Sequence, residues 1–247
     1  KLRCFLHYFE RLSLDWGNLE GTVTFARVNL ADNSRLLWQQ LIQRKEPLCA
    51  MKIATKGNTE NASSSFLKVI FTDPDIGGEV LQGRCLQEEV MLSVFPELMI
   101  AKIVMAPLAD EEVVLVEGCS RYSQTTGYGS AFKHTGDFVD DVGCDKVGNM
   151  ENKFVMMDAL SFRGGKSQQY SEESTLREMN KAYCGFFQPD IKPRGLAHKA
   201  QSYEMWQLMD ASSTDVRPVA TSLWGSGSHA GDEQLKWTLQ WIAASLA

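Results

Sequence analysis

A glycine pair between an apolar run and a helix start is the feature that most constrains this fold. Phe66–Phe71 predicts a buried strand, Gly77-Gly78 follows it, and a helix is expected to begin at Gln87-Glu88-Glu89. Glycine admits backbone conformations that a side chain forbids, so this loop can approach a ligand closely. The two adjacent carboxylates fall in the first helical turn, where negative charge is favoured. These residues alone leave two interpretations open: a plain helix cap beside a turn, or a ligand-binding loop.

A second strand–loop–helix unit is predicted near the end of the sequence. Val216–Thr221 indicates a strand, and a helix is expected from Asp232 onward. Backbone amides converge where a glycine-rich loop meets a helix N-terminus, so the unit suits a phosphate. The loop lacks the lysine of a Walker loop and the spacing of a dinucleotide-binding loop, and a bare glycine-rich turn remains the alternative. The candidate phosphate-contacting residues are Trp224, Gly225, Ser226, Gly227, Ser228, His229, Ala230 and Gly231.

Strand and helix patterns alternate along the rest of the chain, which predicts an α/β layered domain. The expected helices are Lys1–Leu12, Ser34–Arg44, Ser171–Tyr183 and, from a mixed pattern, Arg194–Asp210. The other expected strands are Gly21–Ala26, Met99–Met105, Glu112–Val116 and Phe154–Leu160. Surface loops are predicted at Lys56–Ser65, Arg121–Phe132 and Phe138–Lys153, of which the second has a composition suited to binding.

Length and charge limit the function classes that the chain can belong to. A chain of 247 residues with 44% hydrophobic residues can bury the core of one large domain. The net charge of −6 argues against nonspecific binding to a nucleic-acid backbone, so no direct DNA binding is expected. A polyanionic ligand would have to be held locally, by backbone amides and a few cations. Six scattered cysteines without a Cys-x-x-Cys pair are typical of reduced thiols in an intracellular protein.

Several kinds of site or segment are not expected. The four histidines have no zinc-like spacing, and the acidic segment Asp137–Asp145 lacks the ligand spacing of a calcium loop, so no metal site is predicted. No apolar run reaches the roughly 18 residues that span a membrane, and no signal peptide is visible. Because the sequence lacks an initiator methionine, we interpret it as a domain excised from a longer chain.

The first loop resembles the signature of the poly(ADP-ribose) glycohydrolases, which is three glycines, a spacer and Gln-Glu-Glu. Here Gly77-Gly78-Glu79 is followed by the seven-residue spacer Val80–Leu86 and by Gln87-Glu88-Glu89. Other segments resemble the family in the same order: Leu2–Phe9, Gly21–Phe25, Tyr122–Tyr128, Asp158–Arg163, Glu178–Phe186, Val219–Thr221 and Trp224–Gly227. The resemblance implies a macrodomain-like mixed sheet flanked by helices. It also implies an N-terminal accessory helical region over residues 1–50 and a catalytic domain over residues 51–247.

The resemblance further implies hydrolysis of the ribose–ribose O-glycosidic bonds of poly(ADP-ribose) on modified proteins, which releases ADP-ribose. Glu89 would be the acid and base, and Glu88 would hold the hydroxyls of the ribose at the scissile bond. Gly77 and Gly78 would wrap the distal ribose and phosphate, and the Trp224–Gly231 loop would cradle the diphosphate. The remaining implied ligand contacts are Tyr128, which packs over the ligand, Glu60 at the adenine, and Asp73 and Gln87. A monomer in the nucleus or cytoplasm is implied, with no cofactor and no metal.

The sequence departs from the family pattern at several positions. Glu79 replaces the third glycine, Asp73 stands where the family has an asparagine, Leu223 replaces another asparagine, and His229 replaces a phenylalanine. The sequence also ends at Ala247, before the strand whose phenylalanine contacts the adenine in the family, so the domain is expected to be truncated. These departures keep two alternatives open: a macrodomain that binds ADP-ribose chains without cutting them, and a hydrolase acting on mono-ADP-ribosylated protein or another ADP-ribose derivative.

Overall fold

The structure is a computed structural model that describes residues 1–14, 21–30, 34–140, 142–146, 148–187 and 217–247. These residues contain six α-helices and seven β-strands. The helices are α1 (Leu2–Leu14), α2 (Ser34–Gln43), α3 (Gln87–Val94), α4 (Met99–Val104), α5 (Glu172–Phe186) and α6 (Glu233–Leu246). The strands are β1 (Thr24–Asn29), β2 (Leu67–Thr72), β3 (Glu112–Gly118), β4 (Ser123–Thr126), β5 (Lys133–Asp137), β6 (Met150–Asp158) and β7 (Val219–Ala220).

Five strands form one mixed sheet in the order β1-β3-β6-β2-β7. Strand β3 is antiparallel to β1 and β6, whereas β6, β2 and β7 run parallel. The two remaining strands, β4 and β5, pair as a separate antiparallel ribbon. The central strands are apolar and buried along most of their length, as expected for a sheet covered on both faces. The sequence-based prediction of an α/β domain with a mixed sheet is confirmed.

Helices cover both faces of the sheet. Neighbouring strand residues point to opposite sides, so the apolar strands present side chains that must be buried on each face. In β2, Val69 packs in one apolar cluster, together with Tyr183 of α5 and Ala243 of α6. Its neighbour Ile70 packs in a second cluster, together with Met91 of α3. Helices α5 and α6 therefore lie on one face, and α3 lies on the other. No described helix combines the length and apolar character needed to cross a membrane.

The strand predicted at Met99–Met105 is wrong, because this run forms helix α4. Pro96 begins a short 3-10 turn that continues directly into the helix. A short, mostly apolar run such as this one carries no period that separates a buried strand from a helix. Only Ala101 of α4 is buried, while Ile103 is 79% exposed.

Of two other expectations, one shifts at its boundary and one lies outside the described residues. The predicted surface loop Phe138–Lys153 ends inside β6, where Asn152 is buried. The predicted helix Arg194–Asp210 lies outside the described residues. Strand β1 pairs with β3 in the main sheet. The boundary at residue 50, between the accessory helical region and the catalytic domain, stays a prediction.

Candidate active site

The two predicted loops meet in one cleft. They follow β2 and β7, which are parallel neighbours, and so both leave the sheet at its carboxyl edge, where α/β sheets bind ligands. The cleft thus joins the signature helix to the Trp224–Gly231 loop. It is lined by Phe71, Thr72, Asp73, Arg84, Leu86, Gln87, Glu88, Glu89, Ala159, Leu223, Trp224, Gly225, Gly227, Ser228 and His229.

Glu88 is a buried carboxyl held by the end of β2 and the glycine loop. Its Oε1 accepts the backbone N–H of Gly77 at 2.6 Å and the hydroxyl of Thr72 at 2.5 Å. Burial raises the pKa of Glu88 to about 7; these two hydrogen bonds oppose the rise, and the nearby charges of Glu89 and Asp73 add to it. Glu88 therefore changes its charge near neutral pH, in contact with the cleft.

Replacing Glu88 by glutamine is expected to alter how stability depends on pH. The folded pKa, about 7, lies above the ordinary value of 4.5, so the folded protein binds more protons between these values. The parent should therefore lose stability as the pH rises through this window, by on the order of 2 kcal/mol, and the variant should lack this loss. Urea unfolding of both proteins at pH 5 and pH 8 measures the difference. Identical pH dependence of the unfolding free energy in the two proteins would contradict the raised pKa of Glu88.

Glu89 is also almost fully buried, but its partners differ. Its Oε2 accepts the backbone N–H of Leu86 at 2.7 Å, which fixes the side chain against the first turn of α3. Its Oε1 lies 3.6 Å from Nε of Arg84, and Glu89 is among the residues that line the cleft. One oxygen thus anchors the side chain while the other lies beside a cation. A carboxyl fixed in this way can transfer a proton to a bound group.

Gly78 lies against both carboxyls. Its φ is +40°, and a Cβ there would stand 2.8 Å from Oε2 of Glu88 and 3.0 Å from Oε1 of Glu89. The neighbouring Gly77 is covered by the side chain of Lys102, whose Nζ donates to the carbonyl of Gly78 at 3.1 Å. The absence of a side chain at Gly78 therefore gives both carboxyls their room.

Replacing Gly78 by alanine is expected to lower catalytic efficiency about tenfold, because the new methyl group displaces both carboxyls and the backbone is strained by 1–3 kcal/mol or so. A matched control is Gly83→Ala in the same loop, where an added Cβ meets nothing within 4 Å. Activity and thermal unfolding of both variants check this. A Gly83→Ala loss as large as that of Gly78→Ala would show that loop flexibility, not the space at the carboxyls, is what matters.

Gln87 occupies its side chain with the sheet. Its Nε2 donates to the carbonyl of Val69 at 2.8 Å, and its Oε1 accepts the N–H of Phe71 at 2.9 Å. Both ends of the amide are therefore already paired with β2. Gln87 lines the cleft, but in this arrangement it fixes α3 to the strand.

The Trp224–Gly231 loop packs tightly over a buried lysine. Gly225 has a φ of +73°, and a Cβ there would stand 2.9 Å from Nζ of Lys236, which pairs with the buried Glu178. Trp224 is fully buried and anchors the loop through its indole N–H, which donates to the carbonyl of Met157 at 3.3 Å. The buried hydroxyl of Ser226 has no hydrogen-bond partner among the described residues. Ser226, Ala230 and Gly231 do not line the cleft, while the other five loop residues do.

Tyr128 and Glu60 form a pair beside the cleft without lining it. The hydroxyl of Tyr128 donates to Oε2 of Glu60 at 2.7 Å, and Glu60 is 5% exposed. Burial and the charge of Glu60 raise the pKa of Tyr128. The N–H of Gly129 donates to the carbonyl of Cys85 at 2.7 Å, so this loop is attached to the spacer before α3. The two residues expected to contact the ligand thus contact each other.

The sequence reasoning missed Arg84. This residue lies in the cleft, with Nη1 at 3.6 Å from Oδ2 of Asp73 and Nε at 3.6 Å from Oε1 of Glu89. Its signal was available, because Arg84 is the one cation in the Val80–Leu86 spacer. Glu79, in contrast, is exposed and does not line the cleft, so its charge does not face the site. Leu223 does line it.

The family follows from comparison with known proteins. A family model described as "Poly (ADP-ribose) glycohydrolase (PARG), Macro domain fold" matches residues 38–247. The chain belongs to the poly(ADP-ribose) glycohydrolase family. The mixed sheet flanked by helices is consistent with the macrodomain fold of that family's catalytic domain, which confirms the predicted fold class.

Named relatives in this family match nearly all of the chain. "Poly(ADP-ribose) glycohydrolase 1" of Arabidopsis thaliana is 28% identical over 290 residues, which cover 99% of the chain and 52% of the relative. "Probable poly(ADP-ribose) glycohydrolase 2" of the same plant is 30% identical over 274 residues, covering 99% of the chain and 50% of the relative. "Poly(ADP-ribose) glycohydrolase 1" of Caenorhabditis elegans is 25% identical, covering 100% and 30%. The chain therefore spans about half the length of the two plant relatives.

Proposed function

We propose that this chain is the catalytic region of a poly(ADP-ribose) glycohydrolase, which hydrolyses ribose–ribose O-glycosidic bonds and releases ADP-ribose. The observation that carries the proposal is the pair of buried carboxyls in the cleft, Glu88 and Glu89, each with its own partners. Neighbouring residues on one helical turn do not form a facing pair on opposite sides of a bond. A division of labour between them is therefore the arrangement that their positions favour.

In the proposed mechanism, Glu89 gives its proton to the leaving 2′-oxygen and then, as a carboxylate, activates the attacking water. Glu88 positions the ribose hydroxyls and stabilises positive charge that develops on the sugar ring. Thr72 and Gly77 hold the Glu88 carboxyl for this task through the hydrogen bonds described above. No step requires a metal or a redox cofactor.

The rest of the cleft is suited to the ADP-ribose part of the substrate. The Trp224–Gly231 loop is glycine-rich and lies between β7 and α6, and five of its residues line the cleft. We propose that this loop receives the diphosphate. Tyr128 and Glu60 would contact the ligand only after their mutual hydrogen bond opens or moves.

A macrodomain that binds without cutting is the competing candidate. Its support from Glu79 weakens, because that side chain is exposed and lies outside the cleft, and Leu223, which lines the cleft, supplies no contact that favours binding over cleavage. We further propose that the protein acts as a monomer on polymer attached to modified proteins, without binding DNA directly. We also propose that it acts in the nucleus or cytoplasm, in the response to DNA damage.

The experiment that tests the proposal follows labelled poly(ADP-ribose) incubated with the purified chain. Release of ADP-ribose is the expected result. Retention of intact polymer on the protein would favour the binding module. Release of ADP-ribose from a mono-ADP-ribosylated protein, with the polymer left intact, would favour the third candidate, a hydrolase that acts on mono-ADP-ribosylated protein or another ADP-ribose derivative. Neither binding nor release would reject all three.

A further inference from the structure

A histidine and an aspartate connect the two loops of the cleft. Nε2 of His229, in the loop after β7, lies 3.2 Å from Oδ1 of Asp73, in the loop after β2. Both residues line the cleft, and the imidazole is partly buried. The contact is the one place where an ionisable side chain of the Trp224–Gly231 loop lies against a carboxylate of the signature side.

The neighbouring carboxylate determines which nitrogen of His229 carries the proton. An oxygen 3.2 Å from Nε2 favours the neutral tautomer with its hydrogen on that nitrogen. Nδ1 is then the atom that takes up a second proton. Asp73 would stabilise the resulting imidazolium without having to move.

We propose that His229 takes up a proton from solvent on Nδ1 when the diphosphate of ADP-ribose enters the cleft, and that the imidazolium then binds a phosphate oxygen while Asp73 holds its other side. The inference rests on the proposed function, since it places the diphosphate against the Trp224–Gly231 loop. It makes His229 a binding residue whose charge depends on the ligand, and it makes Asp73 the residue that positions it.

The surroundings of His229 favour the neutral form until an anion arrives. Burial lowers its pKa from the ordinary value; Asp73 opposes the change, and the nearby cations Arg163 and Arg84 add to it. The main chain of the loop is fixed on both sides, because Phe162 donates to the carbonyl of His229 at 2.8 Å and Arg163 donates to the carbonyl of Ser228. The charged groups that act on the imidazole are Asp73 and Arg84 on the signature side, and Asp158 and Arg163 after β6. Glu88 and Glu89 line the same cleft, and Lys236 of α6 lies against the loop at Gly225 and Gly231.

Proton uptake gives the affinity a definite pH dependence. The ligand binds the protonated form more tightly, so affinity is highest below the pKa of His229 in the free protein. It falls as the pH rises through the window between that pKa and the higher pKa in the complex, by up to about tenfold per pH unit for one proton. Glu88 also titrates near neutrality, so its share of the pH dependence must be separated from that of His229.

The test is calorimetry of ADP-ribose binding to the whole chain between pH 6 and pH 8, in buffers of different ionisation enthalpy. We expect the parent to take up protons when ADP-ribose binds, and His229→Asn to take up distinctly fewer. The residual uptake of that variant is the share of Glu88. His229→Lys, which supplies a permanent cation, should restore tight binding without the histidine's pH dependence. Asp73→Asn should reduce proton uptake because the imidazolium loses its carboxylate.

His134 provides the matched control. It lies on β5, outside the cleft, and burial lowers its pKa as well, so His134→Asn should behave like the parent. Equal proton uptake by the parent and His229→Asn would overturn the inference while leaving the proposed function standing. Absence of ADP-ribose binding by every form at every pH would defeat both.

Discussion

Replacing Glu89 by glutamine is expected to abolish most release of ADP-ribose from the polymer, while the affinity for ADP-ribose is kept. The substitution nearly preserves shape, and the new side chain can still accept the N–H of Leu86, but it carries no transferable proton. General acid–base catalysis contributes roughly 10²–10⁴ to a rate, so kcat should fall at least about 100-fold. Release of ADP-ribose from purified polymer, measured beside ADP-ribose affinity, checks both parts of the expectation.

Glu97→Gln is the matched control for this experiment. Glu97 is a partly buried glutamate in the turn after the same helix, its partners are Ser120 and Tyr122, and it does not line the cleft. Its replacement should leave kcat close to that of the parent. Equal release by the parent and the Glu89 variant would reject Glu89 as the acid. A loss of ligand affinity as large as the loss of rate would instead indicate that Glu89 mainly binds substrate.

Replacing Lys181 by methionine is expected to cost on the order of 3–5 kcal/mol of unfolding free energy. Lys181 is fully buried, and its Nζ donates to the carbonyls of Ala109 and Glu112 at 2.6 and 2.7 Å and to Oδ1 of Asp158 at 2.6 Å. The variant leaves two carbonyls without this donor, and it leaves Asp158 with Arg177 as its remaining ion-pair partner in the described structure. Urea unfolding with an unchanged slope measures the loss.

Lys68 makes the comparison specific to the ion pair. It is equally buried, but its Nζ donates to a neutral group, Oδ1 of Asn152 at 2.8 Å, and lies 5.5 Å from the ring of Phe154. Burial lowers the pKa of Lys68 to about 8, so its neutral form lies within reach of neutral pH. Lys68→Met should cost only about 1 kcal/mol, the usual net value of one hydrogen bond. Similar losses in the two variants would mean that the volume of the lysine side chain, and not its charge, is what matters.

The sequence predicted the parts of this molecule that depend on local pattern. The run Phe66–Phe71 became β2, the signature helix begins at Gln87, and Asp232 caps α6 by accepting the N–H of Leu235. These features rest on apolar periods and capping residues within a few positions. The apolar run Met99–Met105 failed as a strand because its residues carry no period that tells the two structures apart.

The cleft contains relations that no local pattern encodes. The sequence singled out Asp73 and His229 separately, as ligand-contact candidates and as departures from the family pattern, but their contact with each other depends on β2 and β7 being neighbours in the sheet. Arg84 lies beside Glu89 in the cleft, a contact that the length of the spacer does not reveal. The sequence therefore located the two loops, while their cross-contacts required the tertiary structure.

The hydrogen bonds of Gln87 determine how helix α3, which carries Glu88 and Glu89, is attached to the sheet. Strand β7 pairs only with Leu67 and Lys68 of β2, so it ends before the backbone groups of Val69 and Phe71. The amide of Gln87 bonds those two groups and takes the place of the strand residues that β7 does not supply. The helix that carries Glu88 and Glu89 is therefore attached to the sheet by hydrogen bonds that continue the edge of β2. A longer β7 would compete with Gln87 for those groups, so the short edge strand and the position of Glu88 and Glu89 depend on each other.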